Sequence, residues 1–157
     1  MSVHTLHYSC ILNAPINRVY AFHTDTRNLP LITPPWITVD IVRLDSPIIE
    51  HSRIVLDIKR FGIKTRWEME IARLDCPHTL TDAMIAGPFR RFRHERRFLP
   101  LQNGETLMSE TLSFVLPFGW VGNLLFPFVK RDIDAMFAFR HRATKRCLEP
   151  APGQTFR

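Results

Sequence analysis

Apolar and polar residues alternate through most of the chain, and this pattern predicts a sheet built from many short strands. Residues 4–12 alternate well enough to form a first strand. After an interruption, further alternating segments follow one another, separated by turn residues. These are Ile37 to Leu44, Glu50 to Arg60, Ile63 to Leu74, Thr79 to Ala86, Phe89 to Leu99 and Glu105 to Leu116. Sequential antiparallel pairing is the simplest arrangement for strands joined by such short connections.

Helices are predicted after the first strand and at the end of the chain. Asn13-Ala14-Pro15 provides a cap and a proline for the first turn of a short helix, which a proline-rich piece at Leu29 to Trp36 follows. From about Leu124 to Leu148 apolar residues recur at helical spacing, which predicts a long amphipathic helix that is continuous from near Pro127. Residues 1–149 are therefore expected to form one domain, and residues 150–157 a flexible tail.

The two faces of the predicted sheet differ in polarity. If a hairpin turns at Phe61-Gly62, then Ile54, Leu56 and Ile58 share a face with Trp67 and Met69 of the next strand. The charged residues of both strands then point the other way, as in an antiparallel sheet that is covered on one side only. We expect the long helix to cover the apolar side.

Ionisable side chains interrupt this apolar face in the last two strands. With a turn centred near Gln102, His94 would lie opposite Glu110, and Arg96 opposite Met108. Burying such groups without partners is costly, so their presence among aromatic residues favours a partly hollow interior with a ligand cavity. The predicted lining comprises Trp36, Trp67, Met69, Phe89, Phe92, His94, Arg96, Phe98, Met108, Glu110, Phe126 and Met136. Each apolar member of this set could equally pack in the core.

Composition narrows the class of protein. The chain has 157 residues, 45% hydrophobic and 23% charged, which is typical of one globular domain. A net charge of +6 makes anionic partners worth testing, but no nucleic-acid motif accompanies the basic clusters, and a solvated basic face is the simpler interpretation. An adaptor for membranes or nucleic acid, including transient membrane contact, stays open as an alternative. The oligomeric state is left undetermined.

Cofactor and targeting signals are not evident in the sequence. The three cysteines lack metal-ligand spacing, and we found no phosphate loop or nucleophile motif, so neither a metal nor another cofactor is expected. Acid/base chemistry is the catalysis that this leaves. The amino terminus lacks the features of a secretory signal, and the expected location is therefore the cytoplasm.

Beyond these patterns, the chain resembles the SRPBCC superfamily, which includes START lipid-transfer domains, birch-pollen-allergen-like proteins and polyketide cyclases. It is most similar to a subfamily of small bacterial single-domain members. The motifs that carry the resemblance are Ala14-Pro15, Ala21-Phe22-His23, Asn28-Leu29, Thr33-Pro34-Pro35-Trp36, Asp82, Gly87-Pro88-Phe89, His94, Phe98, Leu116-Pro117-Phe118-Gly119 and Phe137-Ala138-Phe139-Arg140-His141.

The resemblance implies an α+β helix-grip fold: a curved antiparallel β-sheet wrapped around a long C-terminal α-helix, with two short helices after the first strand. It also implies that a hydrophobic or amphipathic molecule, such as a lipid, isoprenoid or polyketide-like compound, binds between the sheet and that helix. In this family pattern a second histidine stands where the chain has Arg96. A fixed cation there would favour a ligand carboxylate, although Arg96 could instead pair with Glu110.

Two interpretations of His94 and Glu110 follow. In a cyclase or dehydratase, Glu110 would orient His94, which would serve as general acid/base on an oxo compound. Alternatively, the pair is a satisfied polar network that fixes the strand register. The sequence does not choose between a carrier and an enzyme.

Overall fold

The computed structural model describes residues 1–150, so the predicted tail lies outside the described residues from 151 onward. Seven strands form one antiparallel sheet in the order β1-β7-β6-β5-β4-β3-β2. Their bounds are β1 His4–Leu12, β2 Ile37–Leu44, β3 Arg53–Arg60, β4 Ile63–Asp75, β5 Thr79–Ala86, β6 Arg91–Pro100 and β7 Thr106–Val115. The sheet is a meander from β2 to β7, and β1 joins the far edge beside β7. This confirms the α+β helix-grip fold expected from the sequence.

Three predicted strands start later than expected, and for β7 the difference is one residue, Thr106 rather than Glu105. β3 begins at Arg53 rather than Glu50, because the three preceding residues form a turn in which His51 has a φ of 69°. Within that turn the hydroxyl of Ser52 accepts a hydrogen bond from the amide of Ile49 at 2.9 Å, which satisfies the backbone locally. β6 begins at Arg91 rather than Phe89.

The two short helices after β1 and the long C-terminal helix occupy the predicted positions, and a further short helix precedes the long one. α1 spans Ile16–Thr24, a 3₁₀ helix spans Thr26–Ile32, α2 spans Gly119–Leu124 and α3 spans Phe126–Leu148. Pro127 lies in the first turn of α3. Amide hydrogens in the first turn have no acceptor within the helix, so a proline there costs no hydrogen bond. Among the described helices, none combines the length and the hydrophobicity that a membrane span requires.

The hairpin between β3 and β4 has the predicted register. Phe61 and Gly62 both have positive φ values, 52° and 76°, as a two-residue type I′ turn requires. Leu56 therefore pairs with Trp67, and Ile54 pairs with Met69. These side chains share the concave, apolar face of the sheet, as the alternation predicted.

The register between β6 and β7 differs from the prediction by two residues. His94 lies opposite Leu112, and Arg96 lies opposite Glu110. The cause is the turn: Leu101 and Glu105 are joined by a 2.8 Å backbone hydrogen bond, and Gly104 takes a φ of 81°. A three-residue loop closed by a left-handed glycine centres the hairpin on Asn103 rather than Gln102. Since the shift is even, every side chain keeps its predicted face.

Sheet curvature and the covering helix create the interior. The register shifts in the β2/β3 and β4/β5 pairs mark irregularities of the bulge type, which bend and twist a sheet. Along α3, Ile133, Phe137, Thr144 and Leu148 are buried, which fixes the face of the helix that packs on the sheet. α1 and the 3₁₀ helix close the other side of this space.

Candidate functional site

A cavity lies between the concave face of the sheet, α1, the 3₁₀ helix and α3. Its volume is about 190 Å³. The wall is mostly apolar, with side chains from β2 to β7 such as Val39, Leu56 and Ile71. A mostly apolar concave space with a few polar groups is the usual form of a small-molecule site.

Seven of the twelve residues predicted as lining lie on the cavity wall: Trp67, Met69, Phe89, Phe92, His94, Arg96 and Met136. Three of them form an aromatic cluster, because the Trp67 ring meets Phe89 and Phe92 edge to face at centroid distances of 5.6 and 5.2 Å. Such contacts hold the rings in fixed orientations. This part of the wall is therefore well defined in shape.

The other five predicted lining residues lie elsewhere. Trp36 is 48% exposed and meets Phe139 edge to face, outside the cavity. Phe126 stacks on the His4 ring. The remaining three are buried in the protein without lining the cavity, and they are Phe98, Met108 and Glu110.

Glu110 is the centre of a buried network that includes two histidines. Its Oε2 lies 2.7 Å from Nε2 of His94, and its Oε1 lies 2.7 Å from Nε2 of His141 on α3. His94 is reached diagonally across the β6/β7 pair, where side chains two residues out of register can still touch. The carboxylate thus joins β6, β7 and α3, and His94 carries the network to the cavity wall.

The charge state of this network follows from its contacts. Burial alone would raise the pKa of Glu110, but hydrogen bonds from His141 and His94 outweigh it and place that pKa well below the ordinary value. Burial disfavours the charged form of His141, yet its contacts with Cys10 and Glu110 raise its pKa to about 9. At neutral pH an ionised carboxylate therefore accepts hydrogen bonds from both rings, and His141 supplies the balancing positive charge.

Arg96 has a different partner from the one considered in the sequence. Its guanidinium forms an ion pair with Asp82 on the neighbouring strand β5, not with Glu110. Both residues line the cavity. Burial lowers the pKa of Arg96 to about 10, so the side chain remains a cation at neutral pH. Because Asp82 already compensates this charge, Arg96 is a weaker candidate for a ligand carboxylate than the sequence implied.

The residues near the cavity that were not predicted as site residues include His23, Asp82, Arg140 and His141. His23 is buried, and burial together with the nearby Arg96 lowers its pKa to about 3, so its imidazole is neutral. The sequence contained a signal for Arg140 and His141, since both belong to the motif at residues 137–141. Arg140 also continues the helical spacing of the apolar residues Ile133, Met136 and Phe137. A charged residue on the buried stripe of an amphipathic helix indicates a function or a buried partner.

The arrangement can hold an apolar molecule and present it with two imidazoles, those of His23 and His94, and three guanidinium groups. With Nε2 of His94 donating to Glu110, the Nδ1 atom of the same ring is the one that could exchange a proton with a ligand. Within residues 1–150, no group of three or more His, Cys, Asp or Glu side chains is placed to hold a metal ion.

Comparisons with known proteins agree with this geometry. The sequence model of the family described as polyketide cyclase/dehydrase and lipid transport matches residues 12–140. No curated protein matches the chain by sequence.

Solved structures share the fold at low sequence identity. A START superfamily protein from Mycobacterium smegmatis is 15% identical, with a TM-score of 0.73 over 93% of this chain and 97% of that one. The Zhui aromatase/cyclase from a Streptomyces species is 18% identical, with a TM-score of 0.71 over 98% and 100%. A protein from Thermus thermophilus is 20% identical, with a TM-score of 0.74 over 91% and 95%. From the family match over residues 12–140, the chain belongs to the polyketide cyclase/dehydrase and lipid transport family.

Proposed function

We propose that this protein binds a hydrophobic or amphipathic small molecule in the cavity between the sheet and α3. The observation that carries the proposal is the cavity itself, because a fold of this size ordinarily fills its interior with side chains. Here the aromatic cluster of Trp67, Phe89 and Phe92 and the aliphatic residues of β3 surround open space instead. A lipid, isoprenoid or polyketide-like compound matches such a wall, and the family name is consistent with that class.

Filling the cavity is the direct test of binding. Leu56→Trp places a larger side chain in the cavity wall. Val55→Trp is the matched control, because it introduces a tryptophan on the opposite face of the same strand. Each variant and the wild type are purified from the native host, and native mass spectrometry compares the retained small molecule. We expect the wild type and Val55→Trp to retain an added mass that Leu56→Trp loses, with thermal unfolding confirming that all three are folded.

A second measurement covers the case of a ligand that is lost during purification. Trp67 lies on the cavity wall, so its fluorescence should change when an uncharged long-chain alcohol such as 1-dodecanol is titrated into the protein. An unchanged Trp67 signal, together with a bare mass for the wild type, would refute the binding proposal. Ile58→Phe serves as a second cavity-filling variant if Leu56→Trp does not fold.

An enzyme of cyclase or dehydratase type is the alternative function, and the contact between His94 and Glu110 favours it. His94 would remove a proton from the carbon beside a ligand carbonyl and return it to the hydroxyl that leaves as water. The protonated His141 weakens this case, because Glu110 must share its negative charge between two rings. The carboxylate is thus less able to stabilise a charged His94 than in a simple pair.

Replacing His94 separates the two functions. In His94→Gln, loss of turnover of a poly-β-ketone with retained affinity would support an enzyme. No turnover by the wild type, in the presence of demonstrated binding, would support a carrier. Arg93→Gln, on the exposed face of the same strand, is the matched control.

A further inference from the structure

The charged side chains around the cavity do not balance. Arg96 is paired with Asp82, and Arg60 is paired with Asp132 of α3. Asp25, which also lines the cavity, is paired with Arg27. A fourth pair consists of Glu110 and the protonated His141, directly behind the cavity wall. In each of these pairs one positive charge meets one negative charge.

Arg140 is the cation that remains. It lines the cavity, and it forms no hydrogen bond or ion pair with any residue from 1 to 150. Its Nε atom is buried without a partner. The contact that it does make is with the Phe137 ring, whose centroid lies 5.8 Å from Cζ. An aromatic face compensates a buried guanidinium only in part, so leaving Arg140 without an anion is unfavourable.

Burial lowers the pKa of Arg140, the charge of the nearby Glu110 raises it, and the charge of Arg60 lowers it. Glu110 accepts its hydrogen bonds from His94 and His141, and none from Arg140. The imidazole of His23, on the same cavity wall, is neutral and has a buried Nε2 atom without a partner. Among residues 1–150, the side chains around the cavity therefore leave one positive charge without an ion-pair partner, that of Arg140. Four lining side chains have a buried nitrogen without a hydrogen-bond partner, namely His23, Arg60, Arg96 and Arg140.

We propose that Arg140 binds a carboxylate of the ligand, so that the cavity takes an acidic amphiphile: an apolar body with one carboxylate group. This inference rests on the proposed binding function. One carboxylate would neutralise the single surplus charge, and the planar guanidinium can donate two parallel hydrogen bonds to it. A phosphate monoester carries close to two negative charges, so it would leave about one negative charge without a partner in the cavity. From the sequence, Arg96 was one candidate to bind such a group, but its charge is already neutralised by Asp82.

The test compares acids and alcohols of equal chain length. The chain has three tryptophans, so a Trp36→Phe/Trp120→Phe background leaves Trp67 on the cavity wall as the sole reporter. Dodecanoic acid and 1-dodecanol are titrated into this protein, flanked by shorter and longer members of both series. We expect the acid to bind about 10- to 100-fold more tightly than the alcohol, the usual range for a charge-assisted hydrogen bond.

Variants assign that preference to Arg140. In Arg140→Gln the acid should lose this advantage while the affinity for 1-dodecanol is unchanged. Arg142→Gln, which removes an exposed arginine from the same helix, should leave both affinities as they are. Because Arg140 has no partner of its own among the described residues, Arg140→Met should not lower the midpoint of thermal unfolding without ligand.

The outcomes separate the two proposals. Equal binding of acid and alcohol, or an acid preference that survives in Arg140→Gln, would overturn the role of Arg140 while leaving the binding function intact. Tighter binding of dodecyl phosphate than of dodecanoic acid would overturn the carboxylate assignment. If neither the acid nor the alcohol binds at any chain length, the binding function and this inference fail together.

Discussion

Protonation of His141 should make the stability of this protein depend on alkaline pH. The imidazole lies 2.7 Å from a buried carboxylate, and its pKa rises from 6.5 to about 9 in the folded protein. Because the folded state holds this proton more tightly than the unfolded state, the resulting stabilisation is complete below pH 6.5 and disappears as the pH rises through 9.

The magnitude can be worked out from the two pKa values. A rise from 6.5 to about 9 corresponds to about 3 kcal/mol at ~1.4 kcal/mol for each pH unit. The side chain is 15% exposed and one edge reaches solvent, so we discount this to about 1.5 to 2 kcal/mol for screening. That is a substantial fraction of the ~5 to 15 kcal/mol that stabilises a typical domain.

Urea unfolding at about pH 6 and about pH 9.5, followed by tryptophan fluorescence, provides the assay. The wild type should lose about 1.5 to 2 kcal/mol more than His141→Gln between these two conditions. Taking the difference between the two proteins cancels the titration of all groups that they share. His51→Gln is the matched control, because His51 forms a 2.6 Å ion pair with Glu70 on the exposed surface. Its pH dependence should follow that of the wild type.

Parallel pH profiles for the wild type and His141→Gln would refute this reasoning. They would mean that His141 binds its proton equally well in the folded and unfolded states, so that the contact with Glu110 does not hold it charged. A deviation of His51→Gln as large as that of His141→Gln would also count against the argument, since burial would then make no difference.

Three further predictions concern other parts of the structure. Asp82→Asn should lower the free energy of unfolding by about 3 kcal/mol in urea, because it leaves the buried guanidinium of Arg96 without its carboxylate; an equal loss in Asp40→Asn, on the outer part of β2, would contradict this. His23→Gln should shift acid unfolding to lower pH: the neutral imidazole has a pKa of about 3 when folded, so its contribution is present above pH 6.5 and is lost as the pH falls. Circular dichroism during acid titration measures the shift, and an unchanged midpoint would show that His23 takes no part. Gly104→Ala should lower the free energy of unfolding by about 1 kcal/mol in thermal or urea unfolding, because a φ of 81° strains a residue with a Cβ even though no atom lies within 4 Å of it. Gly104→Asn should lower it less, and equal losses would argue against backbone strain.

The sequence determined the elements of this protein and the face on which each side chain lies. Strand alternation and helical spacing are local properties, since a side chain's direction depends on its position within its own element. The turn at Phe61-Gly62 could be predicted from the sequence for the same reason, and it fixed the pairing of Leu56 with Trp67. The covering helix followed from its apolar stripe.

Only the tertiary structure decided which ionisable groups meet. A two-residue change in the β6/β7 register preserves every face, so the alternation could not distinguish Leu112 from Glu110 as the residue opposite His94. The contact of Glu110 with His141 joins residues 31 positions apart, on elements whose relative placement no local pattern encodes. Pairing of Arg96 with Asp82 likewise depends on the sheet order, and it leaves Arg140 as the unmatched cation among the described residues at the cavity.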